Sequence, residues 1–134
     1  MPKSVLVAED DPDIVHLVRA ILEDEGFSVG WTMGAQTVAE ARARRPDVVL
    51  LDYQMPGMDG VRVAREMRAD PRTACVPIVA MTAAGRVPVV CRDMGADGCL
   101  GKPFDIDHLI AVVGRLLHTT HPPADAANQP TGTG

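Results

Sequence analysis

A handful of residues in this sequence have the types and the placement to do chemistry together. Glu9 and Asp10 follow the apolar run Val5-Leu6-Val7-Ala8, and Asp52 follows Val48-Val49-Leu50-Leu51. Thr82 follows Ile78-Val79-Ala80-Met81, and Lys102 follows Cys99-Leu100-Gly101. Runs so short and so apolar read as strands covered on both faces of a parallel sheet. In open α/β sheets ligands bind beyond the carboxyl ends of the strands. Taken singly, each polar residue has a bland reading: a helix cap for Glu9 or Asp10, a loop cap for Asp52 or Thr82, a surface lysine at 102. Taken together they form a candidate site. Three carboxylates in one place repel and need cations to stay ionised. The Lys102 ammonium and a divalent metal are the natural neutralisers, and Mg²⁺ suits oxygen ligands with few carboxylates and several waters. Such a site leaves one carboxylate, with an ammonium and a hydroxyl opposite, to receive a transferable oxyanion such as a phosphoryl group.

The elements that must position these residues alternate along the chain. Strands are expected at Ser4–Ala8, Ser28–Thr32, Val48–Asp52, Val76–Met81 and, briefly, Cys99–Leu100. The first helix opens at Pro12 with Asp11 as its N-cap, carries the stripe Ile14, Leu17, Val18, Ile21, Leu22, and ends at Gly26. A second runs from Gly34 to Arg44 on Val38 and Ala41, with Arg42, Arg44 and Arg45 near its C-terminal end. Tyr53 to Gly57 reads as loop. The third helix, Val61 to Ala69, turns Val61, Ala64 and Met67 or Arg68 inward, and Asp70-Pro71 breaks it. The fourth spans Val87 to Met94, and the fifth, capped by Asp105, has the stripe Ile106, Leu109, Ile110, Val113, Leu116, Leu117. Five βα units in succession predict a parallel sheet with helices on both faces. The folded domain is expected over residues 1–118, with 119–134, rich in Thr, Pro and Ala and without periodicity, as a disordered tail or linker.

Composition narrows the setting. The 134 residues are 46% hydrophobic, enough for one core, but only 3% aromatic, so that core is aliphatic. A net charge of −5 argues against direct binding of nucleic acid or of an acidic membrane surface. No apolar run reaches transmembrane length, and a cytoplasmic location is expected. Cys75, Cys91 and Cys99 form no CxxC pair, which predicts free thiols in a reducing compartment and no zinc site. His16, His108, His118 and His121 share no motif with a carboxylate or cysteine and read as surface or tail residues. Trp31 reads as packing at the end of the second strand, and Met55 and Met58 as filler.

With Glu9-Asp10, Asp52 followed by Met55-Pro56-Gly57-Met58-Asp59-Gly60, Thr82-Ala83 and Lys102-Pro103-Phe104, the chain from residue 4 to about 117 resembles the receiver domain of bacterial two-component response regulators, of the chemotaxis-regulator kind. The resemblance implies a flavodoxin-like, doubly wound (βα)5 fold with strand order 2-1-3-4-5. It implies that Asp52 accepts phosphoryl from a sensor histidine kinase or a histidine phosphotransfer protein. Asp10, Asp52, the Gln54 backbone carbonyl and, directly or through water, Glu9 would hold Mg²⁺; Thr82, the Ala83 N–H and Lys102 would engage the phosphoryl group, and Pro103 often follows through a cis bond. The domain would then be a signalling module with self-catalysed phosphoryl transfer and autodephosphorylation, passing its signal to an effector protein or to an output domain. Glu9 stands where Asp is commoner. Cys99 stands where a switch Tyr or Phe is usual, and the helix from Val87 is unusually apolar, so signalling through that face is expected to differ. A Mg²⁺-dependent aspartyl-phosphate hydrolase is the rival reading, but such enzymes usually carry a second Asp where this chain has Gln54. An inactive receiver used only for interaction is the other, and the complete set Asp10, Asp52, Thr82, Lys102 argues against it.

Overall fold

The computed structural model describes residues 2–55 and 57–119. The order is β1 (Ser4–Ala8), α1 (Pro12–Asp24), β2 (Ser28–Thr32), α2 (Thr37–Arg44), β3 (Val48–Asp52), β4 (Gln54–Met55), β5 (Met58–Asp59), α3 (Gly60–Ala69), β6 (Ile78–Ala83), α4 (Val87–Met94), β7 (Gly98–Lys102) and α5 (Ile106–Thr119). Short 3₁₀ turns, Gly34–Gln36 and Ala84–Arg86, lead into α2 and α4. The main sheet is parallel and ordered β2-β1-β3-β6-β7, which is the expected 2-1-3-4-5 once its five strands are counted alone. β4 and β5 form a separate antiparallel pair, so the stretch expected as plain loop after Asp52 is a small hairpin.

Alternation along each strand divides the apolar residues between two cores. Val5, Val7, Leu50, Val79, Met81 and Leu100 join Val15, Val18, Leu22, Leu109 and Val113 of α1 and α5. Leu6, Ala8, Val49, Leu51, Ile78 and Ala80 join Val38, Ala41, Val63, Met67, Val90 and Met94 of α2, α3 and α4. Both faces of β3 are covered, which is why it is apolar throughout rather than alternating.

Several inward residues differ from the sequence reading. On α1 the buried line is Val15, Val18 and Leu22, while Leu17 is 48% exposed. On α3 Val63, Ala64 and Met67 are buried; Arg68 instead turns its guanidinium to the Ala74 and Val76 carbonyls and to Asp97. Ile106 is 53% exposed, and Val112 takes an inward place on α5. β6 begins two residues later than expected, because Pro77 lacks the N–H that a ladder needs, and it runs on through Thr82 and Ala83 to pair with Gly101 and Lys102. The tail expected from Thr119 lies, apart from Thr119, outside the described residues.

The expectation of three free thiols is also corrected. Cys91 of α4 and Cys99 of β7 are joined as a disulfide, and Cys75 alone is free and exposed. No spacing rule signals this pair, because its half-cystines sit on different elements brought together by the turn at Gly95.

α3 ends on a charge cluster. The Asp70 carboxylate accepts from the Arg72 amide at 2.8 Å, from Arg72 Nε at 3.2 Å and Nη2 at 3.1 Å, and from Arg42 Nε. Arg72 is the main cause holding the Asp70 carboxyl well below the usual carboxylate range. A depressed carboxyl stabilises the fold at pH values above its unfolded pKa and loses that contribution as pH falls through its folded value. Asp70→Asn is therefore expected to lower the urea midpoint at neutral pH, with the gap to wild type closing progressively below about pH 4. A gap unchanged at the lowest pH where both proteins fold would contradict a charge-based role.

Candidate functional site at the carboxyl edge of the sheet

Register brings the predicted residues together. Ala8 pairs with Leu51, so Glu9, the next residue, stands beside Asp52. Asp52 pairs with Met81, and Ala83 with Lys102, so Thr82 and Lys102 reach the same edge from β6 and β7. Glu9 is 1% exposed, Asp52 and Thr82 are each 6% exposed, and Asp10 is half-buried. One carboxylate oxygen from each of Glu9, Asp10 and Asp52 lies within 4.8 Å of the others.

Lys102 ties the cluster. Its Nζ donates to Glu9 Oε1 at 2.8 Å and to Asp52 Oδ1 at 3.1 Å. The other Glu9 oxygen accepts from the Asp10 and Asp11 amides, both at 3.1 Å. Burial pushes both the Glu9 and Asp52 carboxyls above their ordinary values, and Lys102 offsets this only in part. Burial alone would lower the Lys102 pKa, but its bonds to Glu9 and its attraction to Asp52 override that and raise it. Around this ammonium the acids outnumber the cation, as the sequence predicts. The Lys102–Pro103 peptide is cis.

A cavity over Asp52 is lined by Thr82, Ala83, Lys102, Gln54, Tyr53 and Arg86. Every predicted site residue except Glu9 and Asp10 borders this space, and those two form its acidic flank. Three neighbours were not legible as site residues. Trp31 is 39% exposed and donates its indole N–H to the Glu9 carbonyl at 2.7 Å; its place at the end of a strand beside the acidic pair was the available signal. Tyr53 and Arg86 stack, the guanidinium 5.5 Å from the ring centre, and nothing in a lone cation four residues past Thr82 marks it. His16 and His108 are exposed and neither belongs to the acidic cluster; the side chain of His118, and His121, lie outside the described residues.

The profile of the response regulator receiver domain family matches residues 5–114. The chain belongs to that family. Among similar proteins, the DNA-binding response regulator MtrA of Mycolicibacterium smegmatis is 40% identical over 93% of this chain and 55% of its own length. The DNA-binding dual master transcriptional regulator RpaA of Synechocystis sp. is 38% identical over 90% of this chain and 51% of its own. This receiver thus spans about half the length of the curated relatives it matches. Among solved structures, the receiver domain of the sensor histidine kinase PA1611 from Pseudomonas aeruginosa superimposes with a TM-score of 0.80 at 30% identity, covering 88% of this chain and 99% of that one. That structure has a magnesium ion coordinated in the active-site cleft.

The backbone at Asp52 is seated by a close approach at Gly60. A Cβ there would lie 2.8 Å from the Asp52 and Tyr53 carbonyl oxygens and 2.9 Å from Tyr53 Cα, all backbone atoms that cannot swing away. Gly60→Ala is expected to cost about 1–3 kcal/mol by overpacking and to displace the Asp52 backbone. At Gly114, on α5, an added Cβ meets nothing within 4 Å, and Gly114→Ala should stabilise by about 0.5–1 kcal/mol. Urea unfolding of both variants checks the pair; equal effects would contradict the close approach.

Proposed function

We propose that this receiver accepts a phosphoryl group on Asp52 from the phosphohistidine of a sensor histidine kinase or a histidine phosphotransfer protein, and that this changes its surface for an effector. The observation carrying the reading is the buried Asp52 carboxylate bonded to Lys102, with the Glu9 and Asp10 carboxylates beside it. In the transfer an Asp52 oxygen forms a bond to phosphorus as the phosphorus–imidazole bond breaks, and the electron pair leaves on the imidazole nitrogen. Little covalent chemistry is asked of the protein, so positioning and charge neutralisation do the catalysis. Lys102 holds Asp52 in place beforehand and pairs with a phosphoryl oxygen afterwards. Thr82 offers a hydroxyl and Ala83 a backbone N–H from β6, the strand next to that of Lys102.

The donor set fits Mg²⁺. Both Glu9 oxygens already have partners, Lys102 on one side and two backbone amides on the other. Glu9 therefore suits a water-mediated contact, leaving Asp10, Asp52 and the Gln54 carbonyl as direct ligands. Bound there, the ion would neutralise charge on the transferring phosphoryl group. The magnesium in the cleft of the PA1611 receiver supports this assignment.

The DNA-binding descriptions of MtrA and RpaA support an output through a DNA-binding domain in the full-length protein or through a separate effector. The acidic receiver itself, net −5, is not the nucleic-acid contact. No helix among the described residues is long and apolar enough to cross a membrane, which agrees with the proposal that the receiver works in the cytoplasm. We assign it autodephosphorylation rather than turnover of small phosphate esters, because Gln54 stands where a hydrolase would carry its second aspartate.

Incubation with acetyl phosphate and Mg²⁺, followed by mapping of the adduct, tests the reading. A single phosphoryl group on Asp52 is expected, lost in Asp52→Asn and without chelatable metal. Labelling of Asp52→Asn at the wild-type level would contradict the acceptor, and sustained turnover of a phosphate monoester such as p-nitrophenyl phosphate would favour the hydrolase.

A further inference from the structure

The Cys91–Cys99 bond joins the two arms of the site. From Thr82 and Ala83 the chain passes through the 3₁₀ turn Ala84–Arg86 directly into α4, which carries Cys91. From Cys99 it runs three residues along β7 to Lys102. The disulfide closes a short ring of residues 91–99 that takes in the C-terminal half of α4, and Thr82 and Lys102 lie on the two chain segments that leave this ring. The bond fastens Cys91 of α4 directly to Cys99 of β7; with it open, α4 keeps Val90 and Met94 in the core beneath but loses its covalent tie to the strand.

The Cα atoms of Cys91 and Cys99 are 5.9 Å apart, within the span a disulfide bridges without backbone movement. Both residues are half-buried, so a small co-reactant can reach the sulfurs. The ring-closing partners are only eight residues apart, a short loop whose closure contributes the smaller end of disulfide stabilisation. A domain with two aliphatic cores has no need of such a staple. Disulfides in reducing compartments are usually transient or redox-sensing.

We propose that Cys91 and Cys99 are a reversible dithiol–disulfide pair that exchanges with a small-molecule thiol or disulfide and, when closed, locks α4 against β7. For closure, one cysteine thiolate attacks a sulfur of the external disulfide and releases the first thiolate. The other cysteine then attacks the mixed disulfide and releases the second. Two electrons pass from the cysteine pair to the external disulfide, and the two cysteine protons end on the departing thiols. Reduction is the reverse. The consequence for signalling rests on the phosphorylation reading above: a closed ring hinders any motion that carries α4 when Thr82 shifts toward phosphate. The pair itself does not rest on that reading.

The test uses the Cys75→Ser chain, so that only this pair exchanges. The protein is equilibrated across glutathione buffers from fully oxidised to fully reduced, quenched in acid, alkylated and weighed intact. Conversion from no alkyl adduct to two within that range is expected. Amide exchange over 87–94 should rise about tenfold on reduction while α1 stays unchanged, and Cys91→Ser should match the reduced form. A pair that stays closed in reduced glutathione, stays open in oxidised glutathione, or stops at a glutathione adduct would overturn the proposal. So would α4 exchange that is equal in the two forms, or that rises in step with α1. Asp52 labelling by acetyl phosphate is read separately in both forms. Its absence from both would defeat the phosphorylation reading, while the mass and exchange data would still decide the pair.

Discussion

Two nearly buried carboxylates share one ammonium at the edge of the sheet. At the separations found here, each pair of like charges repels by about 3–4 kcal/mol at an effective dielectric constant of about 20. Lys102 cannot cancel this alone, because Asp10 adds a third negative group to Glu9 and Asp52. The arrangement is stable only because backbone amides at Asp10 and Asp11 also serve Glu9, and because β1, β3 and β7 hold the side chains in register. A site short of positive charge favours a divalent cation, and such a cation beside Asp52 would prepare it for an incoming phosphoryl group. The proposed chemistry follows from the shortage.

The rest of the fold serves that edge. Val48 to Leu51 bury both faces of β3, so Asp52 is carried on the most constrained strand of the sheet. Gly60 lets α3 start against the backbone of Asp52 and Tyr53, fixing it from behind. Thr82 and Lys102 arrive on adjacent strands that part beyond the site, one into α4 and one into α5. A change in the charge between them is therefore felt first by the helices that follow. In this chain the Cys91–Cys99 bond ties α4 back to the strand that carries Lys102.

The parallel sheet and the gathering of Glu9, Asp10, Asp52, Thr82 and Lys102 at its carboxyl edge were legible in the sequence because each signal is local: a short apolar run, then a polar residue; the strand order came only with the family resemblance. β1, β2, β3 and α4 fall where the periodicity puts them. The rest depends on contacts between distant segments. Leu17 sits within the apolar stripe of α1, yet Val15, Val18 and Leu22 fill the space against the sheet and leave it to solvent. Arg68 has the spacing of an inward residue, but open carbonyls at Ala74 and Val76 and the carboxylate of Asp97 draw it outward. The disulfide, the Trp31 bond to Glu9 and the stacking of Arg86 on Tyr53 are likewise tertiary, and no spacing in the chain announces them.

The charge shortage is measured most directly by the titration of Asp52 itself. Carbon-13 NMR of carboxyl-labelled protein, with Asp52→Asn to assign the signal, follows its ionisation in metal-free buffer and then with Mg²⁺. The Asp52 carboxyl is predicted to titrate above its ordinary 3.8 without metal, and to move down when Mg²⁺ is added. Titration at or below the ordinary value in metal-free buffer, unchanged by Mg²⁺, would contradict the account.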